Sequence, residues 1–341
     1  MLEPMYASER PPLVSVVTPV YNGEAFIGRC IESVLAQTFG DFEYIIVNNR
    51  SVDRTLEIAK KYAEKDARIR IHDNTEFVEV IENHNLAFSL ISPATQYLKV
   101  VSADDWIVPE CLERMVALAK AHPSVGLVCS YMMAGTQIVN IGLKYTETVV
   151  SGRAICRSSL LGGAYVFGAP SSLLYRADIV RKSRAFFPSA NPHSDTTACY
   201  FALENTDFGF VHQILAHAEI HSESQTSRSI KYGTIRRAVI SDVVRAGRLY
   251  LTPTEVADRV KHLMGYYYQW LVGALVTNRA DPKFWSMQKA ELEEVGIHLS
   301  RLRIAAATLK RAVRALFNPR WALNWLAKLR KDPRKIEASY Y

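Results

Sequence analysis

The sequence predicts an α/β fold, a mostly parallel sheet with helices on both faces, extended on the C-terminal side by further helices. Two patterns predict the sheet and a third predicts the extension. Apolar, β-branched runs alternate with stretches of helical period as far as about residue 135, and such alternation builds right-handed βαβ units. Three of these runs stop at polar clusters, Thr18 to Asn22, Asn48 to Asp53 and Ser102 to Asp105. Open parallel sheets bind ligands at such strand ends, so the three clusters should converge on one edge. Beyond Ser229 the apolar residues keep a helical spacing to the end of the chain.

Taken in order, Leu13 to Val20 (LVSVVTPV) reads as the first strand, closed by Tyr21-Asn22-Gly23. Phe26, Ile27, Cys30, Ile31, Val34 and Leu35 then mark a helical stripe. Glu43 to Val47 is the second strand, ending in Asn48-Asn49-Arg50-Ser51, and Leu56, Ile58, Ala59, Tyr62 and Ala63 mark the next helix. Arg68 to His72 and Tyr97 to Val101 supply a third and a fourth strand. Pro109 suits the start of a helix in which Leu112, Met115, Val116 and Ala119 share one face. Val125 to Tyr131 is a fifth strand, and from about Val139 to His221 short strands and loops suggest an irregular extension packed on the first sheet. The expected division is a first domain over 1–228, with halves at about 13–135 and 136–228, and a helical, basic extension over 229–341.

Composition narrows the class. With 341 residues, 49% of them hydrophobic and 22% charged, the chain can bury a full core. Five cysteines are scattered without metal-type spacing, which points to inert core thiols in a reducing compartment. The opening MLEPMYASERPP lacks the apolar core of a secretory signal. His262 to Asn278, the most apolar stretch, is interrupted by Gln269 and falls short of the roughly 18 residues of a membrane span; it reads as a buried helix. A cytoplasmic location is therefore expected. The net charge of +7 asks for an anionic partner.

The segment KVVSADDWIVPE (Lys99 to Glu110) puts two acids straight after an apolar strand. Asp104 and Asp105 can cap the helix that follows, or hold something positive. Around this pair, VSVVTPVYNGEAFIGRCIESVLAQTF, EYIIVNNRSVDRTLEIA, NHNLA, SADDWIVPECLERM, HSDT and HSESQTS make the chain resemble the inverting family 2 nucleotide-sugar glycosyltransferases of the GT-A fold. The resemblance runs from about Leu13 to Ser227. It implies a Rossmann-like GT-A domain that moves a sugar from a nucleotide donor to a hydroxyl acceptor, as in bacterial envelope or exopolysaccharide synthesis, with Mg²⁺ or Mn²⁺ as cofactor.

By that resemblance Asp105 is the direct metal ligand, and Asp104 contacts the ribose or donor sugar or exchanges roles with it. His221 completes the metal shell or binds the diphosphate, a surface histidine being the plainer reading. Thr18, Pro19, Tyr21 and Asn22 form the first nucleotide loop, where the ring can stack on the base; Asn-Gly would also serve a plain turn. Asn85 orients the acid loop or the nucleotide, and His84 stands where the family commonly has arginine. Asp195 is the expected base that takes the acceptor hydroxyl's proton, unless it only caps the helix behind it; His193 is a weaker candidate. Thr197 lies where relatives often carry a second acid.

Three departures from the family pattern matter. Ser102 replaces the first acid of the Asp-x-Asp motif, and Asn48 and Asn49 replace the paired acids of Asp-Asp-Gly-Ser-x-Asp. An amide both donates and accepts, matching the N–H beside a carbonyl on uracil or thymine, whereas guanine's adjacent donors suit a carboxylate. A UDP- or dTDP-sugar donor is therefore expected, with Asp53 capping the next helix. The same departures leave open a catalytically impaired nucleotide-sugar-binding protein. Acid-rich strand ends argue against a nucleic acid on the sheet.

After Ser300 the chain carries eleven basic residues against Asp332 and Glu337. Leu302, Ala305, Ala306, Leu309, Val313, Leu316 and Phe317 form a helical stripe, with Trp321 and Trp325 beyond it. A basic helix of this kind fits an anionic membrane surface and a lipid-linked saccharide acceptor, or else packs on the catalytic domain or a second subunit.

Overall fold

The computed structural model describes residues 11–188, 193–221, 229, 232–277, 281–320 and 323–324. Strand β1 (Val14–Val20) lies between β2 (Phe42–Asn48) and β4 (Tyr97–Val100), parallel to both, and β3 (Ile69–Asp73) continues the parallel set beyond β2. Every residue of β1, β2 and β4 is buried, as expected of strands covered on both faces. The helices explain that burial. Helix α1 (Ile27–Leu35) turns Ile27, Cys30, Ile31 and Val34 inward, and α2 (Thr55–Ala63) follows β2. After β5 (Trp106–Ile107), α4 (Cys111–Ala121) buries Cys111, Leu112, Met115, Val116 and Ala119.

In the first half of the sheet, one helix was not foreseen. Residues around NHNLA form α3 (Val80–Ser89), with Asn83, Ala87 and Phe88 buried. Polar Asn83 occupies an inward position, so the apolar period that announces a helix is broken there.

The second half of the sheet is mixed. Strands β6 (Val125–Ala134), β7 (Gln137–Val139) and β8 (Val149–Ser151) lead to α5 (Gly152–Leu160), a 3₁₀ turn Pro170–Ser172, β9 (Leu173–Arg176) and α6 (Ala177–Val180). Helix α7 (Ser194–Ala202) precedes the long β10 (Asp207–Ala218). The strand order is β3-β2-β1-β4-β9-β6-β10-β5, with β9 antiparallel to β4 and β6, and β10 parallel to β6. The region expected to pack on the sheet as an irregular extension instead contributes β9 and β10 to the sheet itself and holds the unforeseen helices α5 and α6.

Residues from 220 onward group with 156–164 and 193 as a second compact unit. It contains α8 (Thr234–Arg245), α9 (Gly247–Tyr250), α10 (Pro253–Thr277), α11 (Pro282–Glu293) and α12 (Arg301–Phe317). Its core is Ile240, Met264, Tyr267, Tyr268, Leu271 and Leu292. Among these helices Arg237 is almost fully enclosed, paired with Glu291 at 2.6 Å and bonded to Gln288 and the Tyr232 carbonyl. The apolar stretch His262 to Asn278 lies mostly in α10, which is one-sided: Tyr267 and Leu271 are buried while His262, Tyr266 and Gln269 are exposed. No helix of the described residues is long and apolar enough to cross a membrane. All five cysteines are buried thiols, and burial pushes Cys30, Cys129 and Cys156 up to about 12.

Candidate active site

Strand register brings the predicted clusters to one edge. Val20 is aligned with Asn48 and Asn48 with Asp73, so β1, β2 and β3 end side by side, while Val17 is aligned with Val100 near the end of β4. The first two loops are laced together. Asn22, in the left-handed region at φ 50°, accepts from the Val52 N–H at 2.9 Å, and its own N–H donates to Ser51 Oγ. Gly23 N–H donates to Thr55 Oγ1, and Glu24 N–H to Asp53. Asp53 also accepts from the Thr55 N–H, which starts α2. Although burial works the other way, these bonds hold the Asp53 carboxyl below the usual range.

Of the four first-loop residues, Tyr21 and Asn22 reach the surface. Thr18 is wholly enclosed, its hydroxyl donating to the Val101 carbonyl at 2.8 Å and paired with the Tyr44 hydroxyl at 2.9 Å; Pro19 is buried beside it. Tyr21 is half exposed and meets Phe77 edge to face, with ring centroids 5.0 Å apart. Phe77 went unnoticed in the sequence because it lies between strand and helix signals.

The two asparagines of the second loop face protein rather than solvent. Asn49 reads the backbone of Val78 from both ends, donating to its carbonyl at 2.8 Å and accepting from its N–H at 3.0 Å. Its oxygen also accepts from Asn74, which donates in turn to Asn83 on α3. Asn48 donates to Asp73 at 2.7 Å, and its buried oxygen accepts no hydrogen bond. Asn85 likewise pairs with both backbone groups of Phe187, at 3.0 and 2.9 Å. His84 stacks on the Phe187 ring and bonds to the Val80 carbonyl, and burial lowers its pKa.

The acid pair follows β4. Asp105 is 6% exposed and accepts from Ser171 Oγ at 2.5 Å. Ser171 Oγ in turn accepts from the Ser102 N–H at 2.9 Å, and the Ser171 carbonyl accepts from Lys99 Nζ at 2.6 Å. Lys99 is itself wholly buried, which lowers its pKa. Burial first, then the neighbouring Asp104 charge, push the Asp105 carboxyl up to about 8, against the pull of Ser171, the Glu219 N–H and Lys99. Asp104 is half-buried beside it. The loop is further held through Trp106, which stacks on His217 at 4.8 Å and carries the Arg29 guanidinium 3.8 Å above its ring; Arg29 pairs with Glu219. A charged residue in the apolar strand YLKVV was the available signal for Lys99. Ser171 gave none.

Asp195 occupies the first turn of α7, half-buried. Desolvation raises its carboxyl to about 6, opposed by the N–H groups of Thr196 and of Asp195 itself. The segment carrying Ser171 also reaches α7, since the Tyr165 hydroxyl bonds to Thr196 Oγ1 at 2.7 Å. The acid loop and Asp195 are thus tied to one stretch of chain, residues 165–172. Thr197 is buried. In the helical unit His193 bonds to Thr234 at 2.9 Å, and burial with the Arg237 charge lowers its pKa to about 4. His221 follows β10 and is half-buried with an interaction of its own; residues 222–228 of HSESQTS lie outside the described residues. Among the described residues no three His, Cys, Asp or Glu side chains gather as a metal set.

Comparison with known proteins fits this geometry. A family model described as "Glycosyl transferase family 2" matches residues 15–183. The glycosyltransferase EpsJ of Bacillus subtilis is 38% identical over 112 residues, 33% of this chain and 31% of that protein. The glycosyltransferase EpsH of the same organism is 26% identical over 229 residues, 64% of this chain and 63% of that protein. The chain therefore spans less than two thirds of the length of these relatives. Among solved structures, S. aureus TarS 1–349 in complex with UDP-GlcNAc superposes with a TM-score of 0.62 at 18% identity, covering 87% of this chain and 88% of that one. The mannosyltransferase PcManGT from Pyrobaculum calidifontis, in complex with GDP-Man and Mn²⁺, gives 0.54 at 15% identity, covering 94% and 86%. The fold is GT-A, and residues 15–183 of the chain match glycosyltransferase family 2.

Proposed function

We propose that this protein transfers a glycosyl group from a UDP- or dTDP-sugar to a saccharide hydroxyl, with inversion at the anomeric carbon, during polysaccharide assembly. The observation that carries the reading is the seat of Asp105: a desolvated carboxyl beside Asp104, at the carboxyl edge of parallel strands. Adjacent carboxylates are the hard oxygen donors that Mg²⁺ or Mn²⁺ takes while keeping positions for phosphate and water. Burial and the Asp104 charge raise the Asp105 carboxyl, and a bound cation would offset both. The donor pair therefore fits a divalent ion held by Asp105 and Asp104; among the described residues the structure does not gather His221 with them as a third ligand. When bound, the ion neutralises charge on the departing diphosphate.

The exposed rings of Tyr21 and Phe77 offer a surface for the base. The choice of uracil or thymine rests on the sequence pattern, because the unbonded Asn48 oxygen is enclosed in a residue only 1% exposed. Asn49 lends that choice no weight, because its amide is consumed by Val78 and Asn74. Asp195 accepts the proton of the acceptor hydroxyl as that oxygen attacks the anomeric carbon opposite the diphosphate. Its raised pKa keeps it both ionised and usefully basic near neutrality. The Eps relatives support a polysaccharide acceptor, and the sugar-nucleotide complexes of the GT-A neighbours support the donor class.

A panel of sugar nucleotides with and without Mn²⁺ tests the reading. Release of UDP or dTDP should require the ion and should vanish in Asp105→Ala and Asp195→Asn. Binding without release for every donor would instead mark a non-catalytic nucleotide-sugar-binding protein. Calorimetry showing GDP bound more tightly than UDP would overturn the donor assignment.

A further inference from the structure

Helix α12 has two opposed faces. Ile304 and Ala307 pack against the core of the helical unit, and Arg311 donates to the Gln269 carbonyl at 2.8 Å. With Ala315 these are the partly covered positions of the helix, and none of its residues is fully buried. At about 100° per residue they fall within a sector of roughly 80°. Leu302, Leu309, Val313 and Leu316 lie on the side about 180° away, with Phe317 at its margin. They are 82%, 66%, 42%, 79% and 87% exposed in the order Leu302, Leu309, Val313, Leu316, Phe317. The helix thereby leaves five of its six larger apolar side chains, all but Ile304, on the outer side.

Charge identifies what covers them. Residues 301–320 include Arg301, Arg303, Lys310, Arg311, Arg314 and Arg320 and not one acid. Arg303, Lys310 and Arg314 form a row along one flank of the apolar face, by the same helical spacing. A contiguous exposed apolar face signals an interaction surface. A second copy of the chain would bring the same basic row against itself, which like-charge repulsion opposes. The sequence after residue 324 offers five basic residues against two acids, and so no complement either. A bilayer with anionic headgroups matches both features: apolar side chains enter the acyl boundary while Arg and Lys extend to the phosphates.

We propose that α12 lies in the plane of an anionic membrane surface, through Leu302, Leu309, Val313, Leu316 and Phe317, with the Arg303–Lys310–Arg314 row on the lipid phosphates. This binding stands apart from the reading of the active site. The test is co-sedimentation of the full chain with phosphatidylcholine vesicles and with vesicles holding about 30% phosphatidylglycerol, in about 0.1 M salt. The protein should pellet with the anionic vesicles and stay largely in solution with the neutral ones. Leu309→Glu/Leu316→Glu should weaken partitioning by about tenfold or more. Arg303→Gln/Lys310→Gln/Arg314→Gln should remove the preference for the anionic lipid. Circular dichroism and metal-dependent nucleotide release without vesicles, both unchanged, show that the variants remain folded. Wild-type protein left in solution with both vesicles overturns the proposal, as does a glutamate variant that still pellets. Sedimentation velocity showing a vesicle-free dimer that Leu309→Glu/Leu316→Glu dissociates would assign the face to a second copy instead.

Discussion

Two forces meet at the carboxyl of Asp195. Desolvation disfavours its charge, the N–H groups at the start of α7 favour it, and the balance lies at about 6. If Asp195 is the base, the rate should fall about tenfold per pH unit below about 6 and level off above it; a pH–rate profile for nucleotide release reads this directly. The stability sign is opposite to that of a paired acid. A folded-state pKa above the ordinary 3.8 means that the folded protein holds the proton more tightly. The associated stability is full below about 3.8 and is lost as pH rises through about 6. Asp195→Asn should therefore abolish turnover while raising neutral-pH stability by on the order of 1–2 kcal/mol in urea unfolding. A residue that served only as a cap would keep its activity as Asn, an equally good cap. Arg50 gives a second residue-scale prediction. It stands in the glycine position of the family pattern and adopts φ 60°, a conformation costly for any side chain but glycine's. Arg50→Gly should stabilise the fold by on the order of 0.5–1 kcal/mol. At this scale the acid pair was legible because two charges after an apolar run demand a reason. Ser171, which seats Asp105, was not: a serine in a loop carries no period and no charge.

At the scale of elements, β1, α1 and α4 were read correctly because their apolar residues keep a regular period. Helix α3, whose inward face includes Asn83, was not legible, nor were α5 and α6, and β10, whose pairing with β6 shifts register more than once, showed only in fragments. Amides account for the first failure. Asn49, Asn74 and Asn83 form a chain of buried hydrogen bonds joining the end of β2 to α3, and polar residues spent on each other look like loop in a sequence. This chain makes one substitution informative. Asn49→Asp restores the family's usual residue, yet a carboxylate cannot donate to the Val78 carbonyl 2.8 Å away. Two acceptors would face each other in a site only 2% exposed. The cost should be on the order of 2–3 kcal/mol. Urea unfolding measures it, with faster hydrogen exchange at the Val78 amide as the local sign. An unaltered midpoint would mean that the loop repacks without the amide.

For the whole molecule, alternation along the chain was enough to predict β1 to β4 as strands of a mostly parallel sheet and the helical extension, because both follow from local period. The antiparallel insertion of β9 between β4 and β6 was not, since strand order past the last βα repeat depends on long-range pairing. Charge is equally divided by region: eleven basic and two acidic residues after Ser300 give +9, so residues 1–300 carry −2 of the total +7. The sheet unit and the helical unit each have a core of their own, which predicts separate steps in thermal unfolding. Ligand linkage then assigns the acid pair to one of them. An ion and nucleotide that bind only the folded sheet unit, at about a hundred times their Kd, add about 2.7 kcal/mol to it. For a unit of this size that is a rise of roughly 5–10 °C in one calorimetric transition, the other staying where it was. Mn²⁺ with UDP should produce this split response, and Asp105→Ala should cancel it. A scan in which the Asp105→Ala protein responds as strongly as wild type would place the nucleotide's partners elsewhere, because among the described residues no other pair of adjacent carboxylates follows a parallel strand of this sheet.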